Sequence, residues 1–321
     1  MKRHLISLIS ILTLTVLSVT FISAQVRPPL PRGSQKASVE QTLGTTDVSF
    51  TFSRPAVKGR TIWGDWPEAV AGETTLDNQN LRPKDAPIVP WGHIWRAGAN
   101  EATLFVVADD VLINGKPLAA GKYSFHAIPA KDGEWTLIFN SDDGQWGSFS
   151  YDAKKDALRV KAKAFTTTDN QELLTYSIEP EGETSAIATL RWEKVAVPFK
   201  IEVKEVVGST MKRLRTYVSD AKADEWQPPF NAANYAKANK LNEDAAKWYG
   251  QSLKAIDMQI AVKPTFANYR SKATILTNAG RMQEALAAAE KAVEIGKAEK
   301  TDAAQIAALE KRIADIKAGK Q

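Results

Sequence analysis

From Asp47 onward, apolar and polar residues alternate along the chain. Val48, Phe50 and Phe52 stand against Ser49, Thr51 and Ser53, the period of two that belongs to a strand with one face buried and the other wet. The same signature recurs at Thr103 to Ala108, Val111 to Ile113, Lys122 to Ile128 and Trp135 to Phe139. It continues at Leu158 to Ala162, Leu174 to Ile178, Ala188 to Trp192 and Val197 to Val203. Turn formers separate the runs: Asp109-Asp110, Asn114-Gly115, Asp132-Gly133, Asp142-Asp143-Gly144 and Glu181-Gly182. Short strands without a helical period between them predict an all-β antiparallel sandwich or barrel over residues 37–205. Residues 66–89 break the rhythm with Pro67, Gly72, Pro83 and Pro87, and read as a surface insertion.

Past Ser209 the period lengthens. Met211, Leu214, Tyr217 and Val218 recur at helical spacing behind a serine able to cap, which predicts a connecting helix over residues 206–225. Trp226-Gln227-Pro228-Pro229 interrupts it, and two helix pairs with a terminal helix are expected over residues 226–321. Tyr269, Ala273, Leu276, Gly280, Ala285, Ala289 and Ala292 stand where a tetratricopeptide unit puts its large, small and turn residues. Ala245, Tyr249 and Leu253 echo them upstream. Generic helical hairpins are the alternative, because the spacing from Ala245 to Ala285 exceeds the standard repeat.

The N-terminus changes the picture of where this protein works. Lys2, Arg3 and His4 precede an apolar stretch from Leu5 to Ile22, closing on Ile22-Ser23-Ala24. This is the layout of a signal peptide over residues 1–24, with a retained anchor as the alternative. Export to the periplasm or the extracellular space is expected. Residues 25–36, rich in Pro, Gly and basic side chains, read as a flexible tether. No later segment is apolar enough to span a bilayer. The chain has no cysteine, so neither disulfides nor thiolate metal sites contribute. Its net charge of +5 falls to about +3 without the leader and is interspersed with acids, which is no nucleic-acid signature.

Chemistry is harder to find. Of the three histidines, His93 and His126 lie beyond the leader, and neither sits in a zincin-type helical motif. The chain carries no nucleophile elbow, Walker loop or dinucleotide fingerprint, so no cofactor and no metal is expected. His126 alternates with Ser124 and Ile128 opposite Tyr123 and Phe125, and should point away from an aromatic core, to the surface or a cleft. Asp109-Asp110 and Asp142-Asp143 read as turn formers, with calcium as the alternative.

Three segments carry a family resemblance: Ser53 to Gly64 (SRPAVKGRTIWG), Pro90 to Thr103 (PWGHIWRAGANEAT) and Ala120 to Ser124 (AGKYS). With Trp135 to Asn140, Gln145-Trp146-Gly147 and Asp156 to Val160, they resemble a family of exported bacterial proteins designated domain of unknown function 2911. The resemblance implies an exported β-domain, in some members followed by tetratricopeptide-like helices, and it implies no activity. The family usually runs almost directly from its Trp-Gly element into Pro-Tyr-Gly. Here residues 66–89 intervene and Trp91 stands for the tyrosine.

Arg54, Arg60, Arg96, Asn100 and Glu101 interleave with Trp63, Trp91, His93 and Trp95 in these segments. Flat indoles beside guanidinium and amide groups suit a glycan or a small polar ligand, by stacking and bidentate hydrogen bonds. These nine residues are the candidate ligand site. The competing reading has the arginines pair with Glu101 and Asp65 to lock loops while the tryptophans pack. Three functions follow as expectations. The first is an exported binding module, whose helical tail docks a protein partner. The second is a hydrolase with His93 as base and Glu101 as its partner, and the third is an envelope scaffold.

Overall fold

A computed structural model describes residues 30–66 and 86–318. The expected leader, residues 25–29 of the tether and most of the 66–89 insertion lie outside the described residues.

The β-region contains β1 (Gln35–Leu43), β2 (Thr46–Arg54), β3 (Trp63–Gly64), β4 (Val89–Pro90), β5 (Thr103–Val107) and β6 (Val111–Ile113). It continues with β7 (Lys116–Leu118), β8 (Gly121–Ile128), β9 (Glu134–Asn140), β10 (Asp156–Lys163), β11 (Phe165–Pro180) and β12 (Ser185–Glu202). A six-stranded sheet runs β1-β2-β5-β8-β9-β10, a four-stranded sheet runs β11-β12-β6-β7, and β3 pairs with β4. Every pairing in the two large sheets is antiparallel. The predicted antiparallel β-domain is therefore what the chain folds into.

The alternation explains the layering. Val48, Phe50 and Phe52 of β2, Phe105 of β5, Phe125 of β8 and Phe139 of β9 all join one core with Leu174, Tyr176, Leu190 and Phe199 of the smaller sheet. Phe50 stacks on Tyr176 at 4.8 Å and Phe125 on Phe199 at 5.7 Å, so aromatic pairs tie sheet to sheet. β1 begins at Gln35, inside the stretch read as tether, because Gln35 and Lys36 pair with Arg54 and Ser53. β11 and β12 run far longer than the alternating runs suggested. The N-terminal half of β11 carries largely exposed side chains and its register shifts twice, whereas β12 joins two of the alternating runs through Glu193, Lys194, Val195 and Ala196; hydrophobic period marks neither feature.

Six helices follow: α1 (Val206–Asp220), α2 (Gln227–Ala238), α3 (Asn242–Val262), α4 (Phe266–Asn278), α5 (Met282–Ala298) and α6 (Ala303–Lys317). The expected capping serine does not cap. α1 starts three residues earlier, and the Ser209 hydroxyl donates to Val206 O at 3.1 Å from inside the helix. Pro228 and Pro229 do not interrupt α2 but open it, in the first turn, where no N–H is needed. α2, α4 and α5 end alike, on a left-handed residue: Lys240, Gly280 and Lys300. In each, two backbone bonds return to the last turn, such as Arg281 N to Leu276 O and Gly280 N to Thr277 O. Among the described residues no helix is long and apolar enough to cross a membrane.

α1 joins the two parts. Val206 packs against the β-core whereas Met211 belongs to the helical core. Arg213 donates to Asp109 Oδ2 at 2.6 Å and to Thr45 Oγ1 at 3.1 Å, and Thr46 Oγ1 also donates to Asp109. Burial opposes ionisation of Asp109, yet these bonds hold its carboxyl below the usual range.

Candidate functional site

The tryptophans gather, but inward. Trp63 lies within ring contact of Trp91 (6.1 Å), Trp95 (5.6 Å), Trp135 (5.1 Å) and Trp192 (5.7 Å), and Trp95 stacks on Trp192 at 5.9 Å. The parallel β3–β4 pair sets Trp63 beside Val89, and a two-way bridge at 2.9 Å fastens Trp95 to Ala127. Trp95, Trp135 and Trp192 are buried and Trp63 and Trp91 half-buried, all part of the β-core or packed on it. His93 is also buried.

Arg54, Arg60, Arg96 and Asn100 hold backbone. Arg54 Nε donates to Leu174 O at 2.9 Å, and Arg60 donates to the carbonyls of Val57 and Ala56. Arg96 Nη1 donates to Asn100 O at 2.6 Å while its guanidinium lies 5.9 Å from the Phe149 ring centre. Asn100, at a φ of 62°, donates to Ser34 O and Ser53 Oγ. Glu101 is gripped by Arg32, whose Nη1 reaches both carboxylate oxygens at 2.7 and 2.8 Å. Asp65, the other acid expected to lock the loops, pairs with Lys131. Burial alone would raise the Glu101 pKa, but the Arg32 hydrogen bonds and charge, with Lys36 nearby, keep it below the ordinary carboxylate value.

A second polar assembly covers the outer face of the six-stranded sheet. Residues 141–155 cross that face and close it with hydrogen bonds. Buried Asn140 donates to Asp152 O and Asp156 Oδ1, and accepts from Asp142 N and Gln145 Nε2. Asp156 Oδ2 accepts from the Tyr151 hydroxyl at 2.7 Å and from Arg159 Nε at 2.6 Å, and Arg159 Nη2 donates back to Tyr151. His126 points away from Phe125, as alternation requires, yet it is fully buried because this segment lies over it. Its Nε2 is 3.0 Å from Ser124 Oγ, its Nδ1 is 3.4 Å from Ser148 Oγ, and Tyr151 meets it edge-on. Burial, chiefly, pushes its pKa down to about 4, with Arg96 adding to the effect and Asp156 and Asp142 opposing it. At neutral pH the ring is an uncharged partner of hydroxyls, without solvent access. That suits it to fastening a loop and not to proton transfer with a substrate. The paired aspartates serve the backbone and ion pairs too: Asp110 accepts from Ala120 N, and Asp142 from Lys155. Among the described residues no group of three or more His, Cys, Asp or Glu converges on a metal-sized site.

Where this loop meets β1, β2 and β5 there is a cleft of about 170 Å3, lined by Lys36, Thr51, Phe52, Ser53, Glu101, Ala102, Leu104, Asp143, Gly144 and Gln145. Of the nine candidate residues, Glu101 is the one lining it. Gln145 is buried with its Nε2 committed to Asn140 and Asp142, which leaves Oε1 a buried acceptor without a hydrogen-bond partner. An unfilled acceptor of this kind costs about 1–3 kcal/mol. Arg32 and Lys36 were not singled out by the sequence, and Gln145 stood out only in the segment Gln145-Trp146-Gly147 of the family resemblance, not as a ligand-site residue. The first two sit in a stretch without period, and nothing in the alternation of β2 distinguishes a wet face from a cleft wall.

No curated protein matches the chain, and no solved structure does. A family model described as "Protein of unknown function (DUF2911)" matches residues 34–201. That span is more than half of the chain. It covers both large sheets, the tryptophan cluster, the loop over His126 and every residue of the cleft, and the chain therefore belongs to the DUF2911 family.

Proposed function

We propose that this is an exported binding protein whose β-domain takes a small polar ligand, and whose helical tail docks a protein partner. The carrying observation is the cleft on the outer face of the six-stranded sheet, which Gln145 lines and where residues 141–155 meet β1, β2 and β5. Hydroxyls from Thr51 and Ser53, charges from Lys36, Glu101 and Asp143, and the apolar surface of Leu104 converge there. Apolar walls with a few convergent polar groups are the usual make-up of a small-ligand site. The nine-residue Arg-Trp site is revised accordingly: its tryptophans support the core, its arginines brace loops, and Glu101 remains as the ligand-facing member.

Support for a tetratricopeptide-like tail comes from the paired order α2/α3 and α4/α5 followed by α6. The buried small residues Ala245, Ala273, Ala285, Ala289 and Ala292, and left-handed Gly280 between α4 and α5, add to it. The leader-like N-terminus is the basis for export.

Calorimetric screening of sugars, amides and organic acids against the wild type and Leu104→Trp tests the cleft. A ligand of the cleft should lose at least tenfold in affinity when the indole fills the space. Ligands that bind both forms equally would remove the cleft from consideration.

A further inference from the structure

The cleft's size restricts what fits. At about 170 Å3 it falls below the ~300–1,000 Å3 of sites that enclose a whole drug-sized ligand. It has room for one ring-sized end, and the remainder of a larger ligand must lie along the adjoining surface.

A large aromatic side chain stands on that surface. Trp146 is 50 % exposed, in contrast to the buried and half-buried tryptophans of the β-core. It forms an antiparallel bridge with Glu101, flanked by Ala102 N to Gln145 O and Gly147 N to Asn100 O, both 3.0 Å. Residues directly opposite in an antiparallel pair send their side chains to the same face, with Cβ atoms roughly 4.5–5.5 Å apart. The indole of Trp146 therefore stands beside the carboxylate that lines the cleft, both of whose oxygens accept from Arg32 Nη1.

This juxtaposition selects a chemistry. An exposed indole offers a flat apolar face. A carboxylate–guanidinium pair offers acceptors and donors side by side, suited to neighbouring hydroxyls. A pyranose ring with equatorial hydroxyls matches both, because its C–H bonds crowd the two ring faces while its hydroxyls radiate in the ring plane. The formal charges at the cleft balance, Lys36 and the adjoining Arg32 against Glu101 and Asp143, which favours a neutral polyhydroxyl ligand over an ion. We infer that the ligand is a gluco-configured oligosaccharide, with one ring stacked on Trp146, hydroxyls bonded to Glu101 and Arg32, and a terminal ring in the cleft. This rests on the binding reading of the cleft and assigns its ligand class.

The test titrates cellohexaose and chitohexaose into the wild type, Trp146→Ala, Trp146→Phe and Leu104→Trp, by calorimetry and by tryptophan emission. Wild type should bind at least one of the two. Trp146→Ala should weaken it at least tenfold with an unchanged unfolding midpoint, Trp146→Phe should restore most of it, and Leu104→Trp should weaken it as well. Binding that survives Trp146→Ala overturns the stacking role. If neither oligosaccharide binds while another small polar compound does so in a Leu104-sensitive way, the saccharide assignment falls and the cleft stands. If no compound of either kind binds, both fall. A protein partner that covers Trp146 and leaves both oligosaccharides without affinity likewise overturns the assignment.

Discussion

His126 is neutral in the fold because no water reaches it, and this makes stability depend on pH. The unfolded chain takes up the proton near the ordinary 6.5, the folded chain only near 4. The contribution is whole above about pH 6.5 and is lost as pH falls toward 4, a difference on the order of 3 kcal/mol. Urea unfolding at pH 7 and pH 4.5 should show the wild type losing roughly 2–3 kcal/mol more than His126→Gln over that interval. Equal losses would mean that the imidazole is not held neutral. Two tryptophans define the other contrast at this scale. Trp192 is fully buried against Trp63 and Trp95, so Trp192→Ala should cost about 3–5 kcal/mol. Trp146→Ala, at the surface, should stay within about 0.5 kcal/mol. Denaturant midpoints of the two variants measure this directly.

Among the elements, the helix ends offer the cleanest comparison. Gly280 closes α4 at a φ of 78°, whereas Lys240 closes α2 at 61° with a side chain attached. A left-handed residue with a Cβ costs about 1–2 kcal/mol, partly offset by the greater unfolded freedom of glycine. Gly280→Ala should therefore destabilise the helical region by about 1 kcal/mol, and Lys240→Gly should stabilise it by roughly 0.5 kcal/mol. Thermal melts followed at 222 nm would report both, and shifts of the same sign would contradict the account. At the α5 packing face, a Cβ on Gly296 would lie 2.7 Å from the Phe266 ring, so Gly296→Ala should overpack the α4–α5 contact and cost about 1–3 kcal/mol.

The molecule as a whole is two cores joined by α1, with Asp109, Thr45 and Arg213 as the polar fastening. The Arg213–Asp109 pair is partly exposed, and such pairs contribute about 0–1 kcal/mol. A chain ending at Glu205 should therefore fold, with a near-ultraviolet tryptophan signal of native shape and a midpoint only slightly lowered; loss of that signal would show that α1 completes the β-core. At this scale it also becomes plain what one dimension carries. Alternation along β2, β8 and β9 determined which side chains enter the core, because the side-chain period of a strand is a local property of the backbone. The longer period after the β-region, together with its prolines and Gly280, likewise determined the helices. The aromatic and arginine content of the two motif segments was legible too, and so was the orientation of His126. What covers a sheet's outer face was not legible, since that depends on which distant segment folds across it. Residues 141–155 bury His126, turn Thr51 and Ser53 into cleft walls, and bring Trp146 beside Glu101. The tryptophans of β3 and the Trp95 segment meet Trp135 and Trp192 from remote strands and so become core. Tertiary structure alone decided between exposure and packing for each indole, because exposure is set by contacts between residues far apart in the chain, and no local period encodes it.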